Sequence, residues 1–456
     1  MGDVNYLGEF WVEGLERRVR GELTLGSKDR SRLTLDGWAE RDARFPTRTE
    51  GQYTVTSLVA DAAKHVESFL PRTLLGMLDS GEAVSLIGAQ NHGGPGYGSS
   101  GMPRYEPWAV VVGAHVESSA RYASVRFRID DHMWLAHLTE GESATVPDDG
   151  ASLSVVAESD GAWLVYETPR PLPLRVLKAR VVLGCLLFAR LITGVELDVR
   201  ETEVRLASDD KWLRVYAHGF NADDLHADES MLPTEQLTIQ RFANWIALND
   251  TLDQLGWAVV EGVRGATQAK VLLYLSLVEG LHRRLYPTSQ SRFPEATRNS
   301  LDKIKQAARR AAREAAGQRD LDPPAVGTAV GESVAFFEQV SYRDRVQDIA
   351  NEVLAAVPEL AESIENLPAL LTRTRNALVH HAVLDKSSLP ERVQEHIAIT
   401  EVVPWMLRVL LLLRAEIDGE LLQAALKCHD RIDFVRANTA QIMRSLAEGT
   451  VHVPGT

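Results

Sequence analysis

The chain has 456 residues, 45% of them hydrophobic and 25% charged, and a net charge of −14. That is ordinary globular composition with length for about two to four domains, and its acidity excludes a protein that coats nucleic acid through bulk charge. The two cysteines, Cys185 and Cys428, stand far apart with no C-x-x-C spacing, which excludes a disulfide framework or a thiolate zinc site and suits a reducing cytosol.

The opening MGDVNYLGEFWVEG has neither a basic leader nor an apolar run, so no signal peptide is expected. Tyr6 stands where a myristoylation pattern needs Ser or Thr. Continuous apolar runs such as VLLLL at 409–413 are too short to span a bilayer. The expectation is a soluble, cytoplasmic protein with no membrane partner. The acid is uneven: about −11 falls before residue 230 and about −3 after it. A polyanion would therefore favour the second half.

From residue 6 to about 170 the pattern is that of strands. VRGELTL and RLTLDGW alternate apolar and polar residues across a turn-forming cluster and predict a hairpin. WAVVVGAHV, YASVRFRI, ASLSVVAE and AWLVYETP continue with β-branched and aromatic residues between Gly, Asp and Pro stops. GVELDVRETEVRLAS and KWLRVYAHGF predict a further hairpin. A β-sandwich or barrel-like domain follows. TSLVADAAKHVESFLPRTLLGMLDSGE is ambiguous, with a helical period ending at Pro71 and a strand-like continuation. PLRVLKARVVLGCLLFARLIT has a wide apolar face and predicts a helix packed on the sheet. NHGGPGYGSSG at 91–101 lacks the G-K-[ST] ending of a phosphate-binding loop and reads as a mobile loop.

The composition shifts at NADDLHADESMLPTEQ, residues 221–236, which places a boundary between a domain at 1–230 and another at 236–456. Nearly everything beyond it shows apolar residues at three- and four-residue spacing, from QRFANWIALNDTLDQLGWAVVEG to DGELLQAALKCHDRIDFVRANTAQIMRSLAEG. The fold class is α+β: a β-rich N-terminal domain and an all-α helical bundle.

Within the bundle, LTRTRNALVHHAVLDKS at 371–387 carries Arg375, Asn376 and His380 in an R-N-x-x-x-H pattern, with Arg373 and His381 beside them. On a helix Asn376 and His380 share a face, and Arg375 lies about 140° away and converges through its long side chain. Histidine exchanges a proton near neutrality and arginine grips phosphate. Together they suit cleavage of a phosphodiester that supplies its own nucleophile, as RNA does through its 2′-OH, with no metal or cofactor strictly required. The spacing alone is common by chance in helices, so the pattern draws its weight from its surroundings.

Those surroundings resemble one family. GEFWVEGLERRVRGELTL, VVVGAHVESSARYASVRFRIDDHMWL and YLSLVEGLHRRLY, followed by TRTRNALVHH, are similar to the ApeA anti-phage proteins, whose C-terminal half is a HEPN domain. The resemblance implies a bundle of four to five helices and a homodimer in which two motif helices meet. It further implies a metal-independent ribonuclease site that leaves 2′,3′-cyclic phosphate and 5′-hydroxyl ends on RNA, tRNA being one class. Carried over, Arg375 would stabilise the developing charge, His380 would transfer protons and Asn376 would orient one of them. The N-terminal domain would sense a phage-derived trigger or restrain the bundle. Glu279 either pairs with the basic cluster or is a solvated or locally paired glutamate, and His381 either supports the motif through a looser R-x5-H spacing or, the better reading, faces a neighbouring helix or solvent. His282, Arg283 and Arg284, just after Glu279, either line the same cleft or, the better reading, are ordinary surface residues.

A second cationic set, Lys303, Lys305, Arg309, Arg310 and Arg313 on an alanine-rich helix, together with Arg373, offers candidates for RNA contact. A solvated helix face accounts for that helix equally well. The rival to the ribonuclease is a non-catalytic helical dimer that binds RNA or a protein partner.

Overall fold

The computed structural model describes residues 4–26, 30–37, 39, 47–50, 53–56, 70–92, 103–129, 132–158, 161–217, 230–380 and 389–449. The glycine-rich segment from residue 93, the helical period before Pro71 and much of the acidic boundary segment lie outside these residues. The chain forms two compact units, Met1–Asp250 and Thr251–Thr456.

The first unit is built on antiparallel strands. β1 (Val4–Val12), β2 (Val19–Leu25) and β3 (Arg32–Leu35) form a meander, and the β2–β3 hairpin has Leu23 opposite Leu33 and Gly21 opposite Leu35. β4 (Thr47–Glu50) and β5 (Tyr53–Thr56) form a separate ribbon. β6 (Arg72–Leu78) joins β1 to β7 (Ala83–Asn91). β7 is flanked by β8 (Arg104–Glu106) and β9 (Ala109–Val112) along a single unbroken register, from Asn91 opposite Tyr105 to Val84 opposite Val112. On their other edges the two short strands part: β8 bonds to β3, while β9 bonds to β15 (Trp212–Ala217). Strands β7, β6, β1, β2, β3 and β8 thus close into a barrel. The strands alternate buried and exposed residues, so their inward positions fill it, with Phe10, Leu23, Leu33, Leu35, Leu74, Val84 and Leu86 fully buried.

From β9 the sheet continues as an open wing through β15, β14 (Val199–Leu206), β10 (Arg121–Ile129), β13 (Gly161–Pro173), β12 (Ser152–Glu158) and β11 (Ser143–Thr145). One face of the wing carries alternating cations and indoles. Arg128 and Arg126 lie 4.2 and 4.4 Å from the Trp163 ring, and Arg126 and Arg205 lie 4.8 and 5.3 Å from Trp212. Glu203 and Glu158 neutralise Arg126. The apolar segment after Pro173 is helical as expected, π-wound over Leu177–Val182 and then α1 (Leu183–Thr193), ended by left-handed Gly194.

α2 (Ile239–Leu252) reads from the sequence as the first bundle helix, yet all of it up to Asp250 falls in the first unit. Trp245 stacks on Phe188 of α1 at 5.4 Å, and Phe242 meets the same ring edge-on at 5.2 Å. Left-handed Asp253 and Gln254 (φ 49° and 65°) then break what the periodicity presents as one continuous helix.

The second unit is helical. It comprises α3 (Leu255–Val260), α4 (Thr267–Leu285), α5 (Arg298–Gly317), α6 (Pro323–Ser333), α7 (Tyr342–Ala356), α8 (Leu367–His380), α9 (Leu389–Arg414), α10 (Gly419–Lys427) and α11 (Asp430–Glu448). Val271, Leu275, Val278, Leu281 and Leu285 make the buried stripe of α4. α7 starts at a capping box in which Ser341 accepts from the Asp344 backbone and Asp344 from that of Ser341. Its end precedes Pro358. α4, α7, α8, α9 and α11 pack on one another as the bundle, while α5 and α6 pair as a hairpin. α9 continues through Pro404; by length and composition alone it could cross a membrane, but Val402, Val403, Met406, Leu407 and Leu410 are fully buried within this unit.

Asp149 carries a concentrated polar load in the first unit. Its carboxylate accepts from the Tyr166 hydroxyl at 2.7 Å, the Ala151 backbone at 2.8 Å and the Arg180 guanidinium, which also bonds Asp250 at 2.5 Å. Removing a carboxylate that satisfies three donors leaves them partly desolvated and unmatched. Asp149→Ala should lower stability by about 2–4 kcal/mol and Tyr166→Phe by about 1 kcal/mol. Denaturant unfolding of the full chain, followed by tryptophan fluorescence, would check both; an unchanged midpoint in the alanine variant would refute the assignment.

Candidate active site

Arg375 projects from α8, where Leu367, Leu370, Leu371 and Thr374 turn inward and leave its side chain half-buried at the margin of the bundle. Its Nη2 donates to Glu279 Oε2 of α4 at 3.0 Å. The guanidinium carbon lies 4.7 Å from the centre of the Tyr342 ring, at the start of α7. The Tyr342 hydroxyl in turn donates to the Leu275 carbonyl at 3.2 Å. Three helices therefore fix one guanidinium.

Glu279 has a second partner. Its Oε1 accepts from Arg283 Nη2, one turn along α4, at 2.8 Å. Both alternatives left open by the sequence are realised: the carboxylate pairs with the basic motif and is locally paired as well. Burial is the largest single influence and pushes its pKa up. The Arg283 hydrogen bond and the charges of Arg375, Arg283 and Arg345 outweigh burial and hold the group below the usual carboxylate range. Glu279 is therefore an anion at neutral pH.

Asn376 is exposed on the same helix. His380 is the final residue of α8, one turn beyond Asn376, and His381 falls outside the described residues. Arg373 is exposed and bonds Glu395 of α9.

The other cations are spread along the α5–α6 hairpin. Lys305 pairs with Glu338 at 2.8 Å. Arg309 and Arg313 lay their stems on Gly331 and Gly327 of α6, so closely that a Cβ at Gly327 would stand 2.6 Å from Arg313 Cγ. Lys303 and Arg310 are exposed.

His282 overturns its reading as a surface residue. Its side chain is fully buried, as is that of Arg345, and Arg345 Nη1 lies 3.1 Å from its Nδ1 while Asp348 Oδ2 lies 2.9 Å from its Nε2. Arginine only donates, so Nδ1 accepts, and the ring proton sits on Nε2 facing the carboxylate. The imidazole stacks on Tyr286 at 4.6 Å; the Tyr286 hydroxyl donates to Glu352 at 2.5 Å, and Arg414 reaches the same oxygen at 2.6 Å. This network spans α4, α7 and α9. The sequence does hold a signal for it. Arg345, Asp348 and Glu352, spaced by three and four, form a polar stripe on one face of α7, and His282 and Tyr286 face it at the matching spacing.

Among the described residues, no group of three or more His, Cys, Asp or Glu side chains is arranged to hold a metal ion. Compared with models of known protein families, residues 5–158 match ApeA N-terminal domain 1 and residues 272–421 match the Apea-like HEPN domain. The second match encloses Glu279, Tyr342, Arg375 and His380. The chain thus has a HEPN helical bundle behind a strand-rich domain, and it belongs to the ApeA family. No curated protein and no solved structure matches it.

The buried imidazole yields a pH dependence. Burial is the main influence lowering the His282 pKa; the Asp348 hydrogen bond opposes it, and the charge of Arg345 reinforces it. Between the lowered folded value and the unfolded value near 6.5, the unfolded chain binds more protons, so stability falls as pH drops through that window. His396 and His429, also lowered chiefly by burial, act in the same direction. The melting temperature of the helical transition should fall from pH 7.5 to 5.5, and less steeply in His282→Gln. An equal or steeper slope in that variant would show that His282 is not among the titrating groups.

Proposed function

We propose that this chain is an anti-phage effector whose HEPN unit is a metal-independent endoribonuclease acting in the cytosol. The observation that carries this reading is Arg375, the first residue of the R-N-x-x-x-H motif, held by Glu279 and Tyr342 at the edge of the bundle with one nitrogen engaged by the carboxylate. A guanidinium so restrained needs little reorganisation to meet a phosphodiester. Two copies of the chain bring their motif helices together. Half-exposed Val379, directly before His380, and exposed Leu389 and Val393 at the start of α9 give apolar surface for a second copy to cover.

In the composite site a ribose 2′-OH attacks the adjacent phosphorus. The His380 imidazole of one protomer accepts the hydroxyl proton, and that of the other donates a proton to the leaving 5′-oxygen. Arg375 stabilises the charge on the phosphorane, and Asn376 orients the phosphate or the imidazole. The products are a 2′,3′-cyclic phosphate and a 5′-hydroxyl. Transfer RNA is the substrate class, and its loss stops translation. The β-rich unit responds to a phage-derived trigger.

Expression in bacteria tests this directly. The wild-type chain should arrest growth and produce RNA with cyclic-phosphate ends in the presence of EDTA. Arg375→Ala and His380→Ala should each lower cleavage by about 100-fold or more while the protein remains folded. Equal cleavage by all three proteins would remove the site from the reaction. RNA shifted on a gel yet left intact by purified wild type would favour the non-catalytic binding module.

A further inference from the structure

We infer that Tyr342 is a positioning residue for this reaction, acting through Arg375; the inference rests on the ribonuclease reading above. Neither the motif nor the sequence pattern marks it. Its ring is half-buried at the first position of α7, and its orientation is fixed at both ends. The backbone there is anchored by the Ser341–Asp344 capping box, and the hydroxyl is tethered to the Leu275 carbonyl at 3.2 Å. Burial, the largest influence, raises the phenol pKa, so the hydroxyl remains a donor over the whole working pH range.

The ring face meets the Arg375 guanidinium at 4.7 Å while Glu279 takes one Nη2 hydrogen at 3.0 Å. The two contacts restrain different freedoms. A single hydrogen bond to a carboxylate fixes one nitrogen and leaves the planar group free to swing about that contact. An aromatic face against the group restrains that swing. With both in place, the N–H edge that Glu279 leaves open, the second Nη2 hydrogen paired with one on Nη1 or Nε, has a defined direction. Arginine grips phosphate through paired N–H groups, so the direction of that edge decides whether two hydrogen bonds form or one. Glu279 is itself braced by Arg283 and so cannot follow a swinging arginine.

The test uses the full-length chain with Tyr342→Phe, Tyr342→Trp and Tyr342→Leu. Phenylalanine and tryptophan keep an aromatic face and should hold kcat within about threefold of wild type, whereas leucine removes the face and should lower kcat by about 3- to 30-fold with KM little changed. An independent readout is the Arg375 Nε–H resonance, assigned by its disappearance in Arg375→Lys. Ring current from Tyr342 should shift it upfield, the shift surviving in the phenylalanine variant and vanishing in the leucine variant.

Wild-type kcat in Tyr342→Leu, or a loss in Tyr342→Phe and Tyr342→Trp as large as in leucine, would overturn the inference. If Tyr342→Leu does not fold, the two aromatic variants and the resonance decide. If the wild-type chain cuts no RNA, the ribonuclease reading fails by itself. The resonance still decides the contact: an Nε–H shift indifferent to the ring overturns it, and one that follows the ring upholds it.

Discussion

One carboxylate, Glu279, shared between a guanidinium of its own helix and one from α8, ties the motif helix to the rest of the helical unit. Aliphatic packing alone would let α8 rotate or slide by fractions of a turn at modest cost. A charged pair at the edge of an apolar interior has no comparable freedom, because displacement strands a partly desolvated charge. The position of Arg375 is thus fixed more narrowly than the hydrophobic stripe of its helix could fix it.

Behind that pair lies a second polar assembly that contains no residue of the motif: Arg345, His282, Asp348, Tyr286, Glu352 and Arg414. Burial of so many ionisable groups is a weak source of net stability. Its physical effect is registration. α4, α7 and α9 approach in the arrangement that pairs these side chains with one another, and the start of α7, which carries Tyr342, inherits that arrangement.

Much of the architecture was legible in the sequence because periodicity reports burial directly. The β2–β3 and β14–β15 hairpins, the strand-rich first half and the helical second half follow from alternation and from three-to-four spacing. The break at Asp253 and Gln254 was not legible, since neither residue is Gly or Pro and the apolar pattern runs through them. The assignment of α2 to the first unit depends on Phe188 accepting Phe242 and Trp245, a tertiary fact that no local pattern encodes. At the site, Arg375 stood out through its motif. His282 was misread because a histidine followed by two arginines looks solvated, and only the facing stripe on α7 shows which of the three turns inward. Tyr342 was invisible for a different reason: a tyrosine just after a helix cap is unremarkable until the arginine that lies on it is known.

The strand pair β8–β9 forks the sheet. Both halves share β7 on one edge and separate on the other, with Pro107, which lacks an N–H to donate, between them and left-handed Gly88 (φ 61°) beside Trp108 across the ladder. A closed barrel has no free edge, so without such a junction it could not be extended by further strands. A departure from regular pairing at these two positions lets the barrel remain sealed while the wing grows from its side. Insertions along the outer wing can lengthen or reshape that surface without unzipping the cylinder from which it springs.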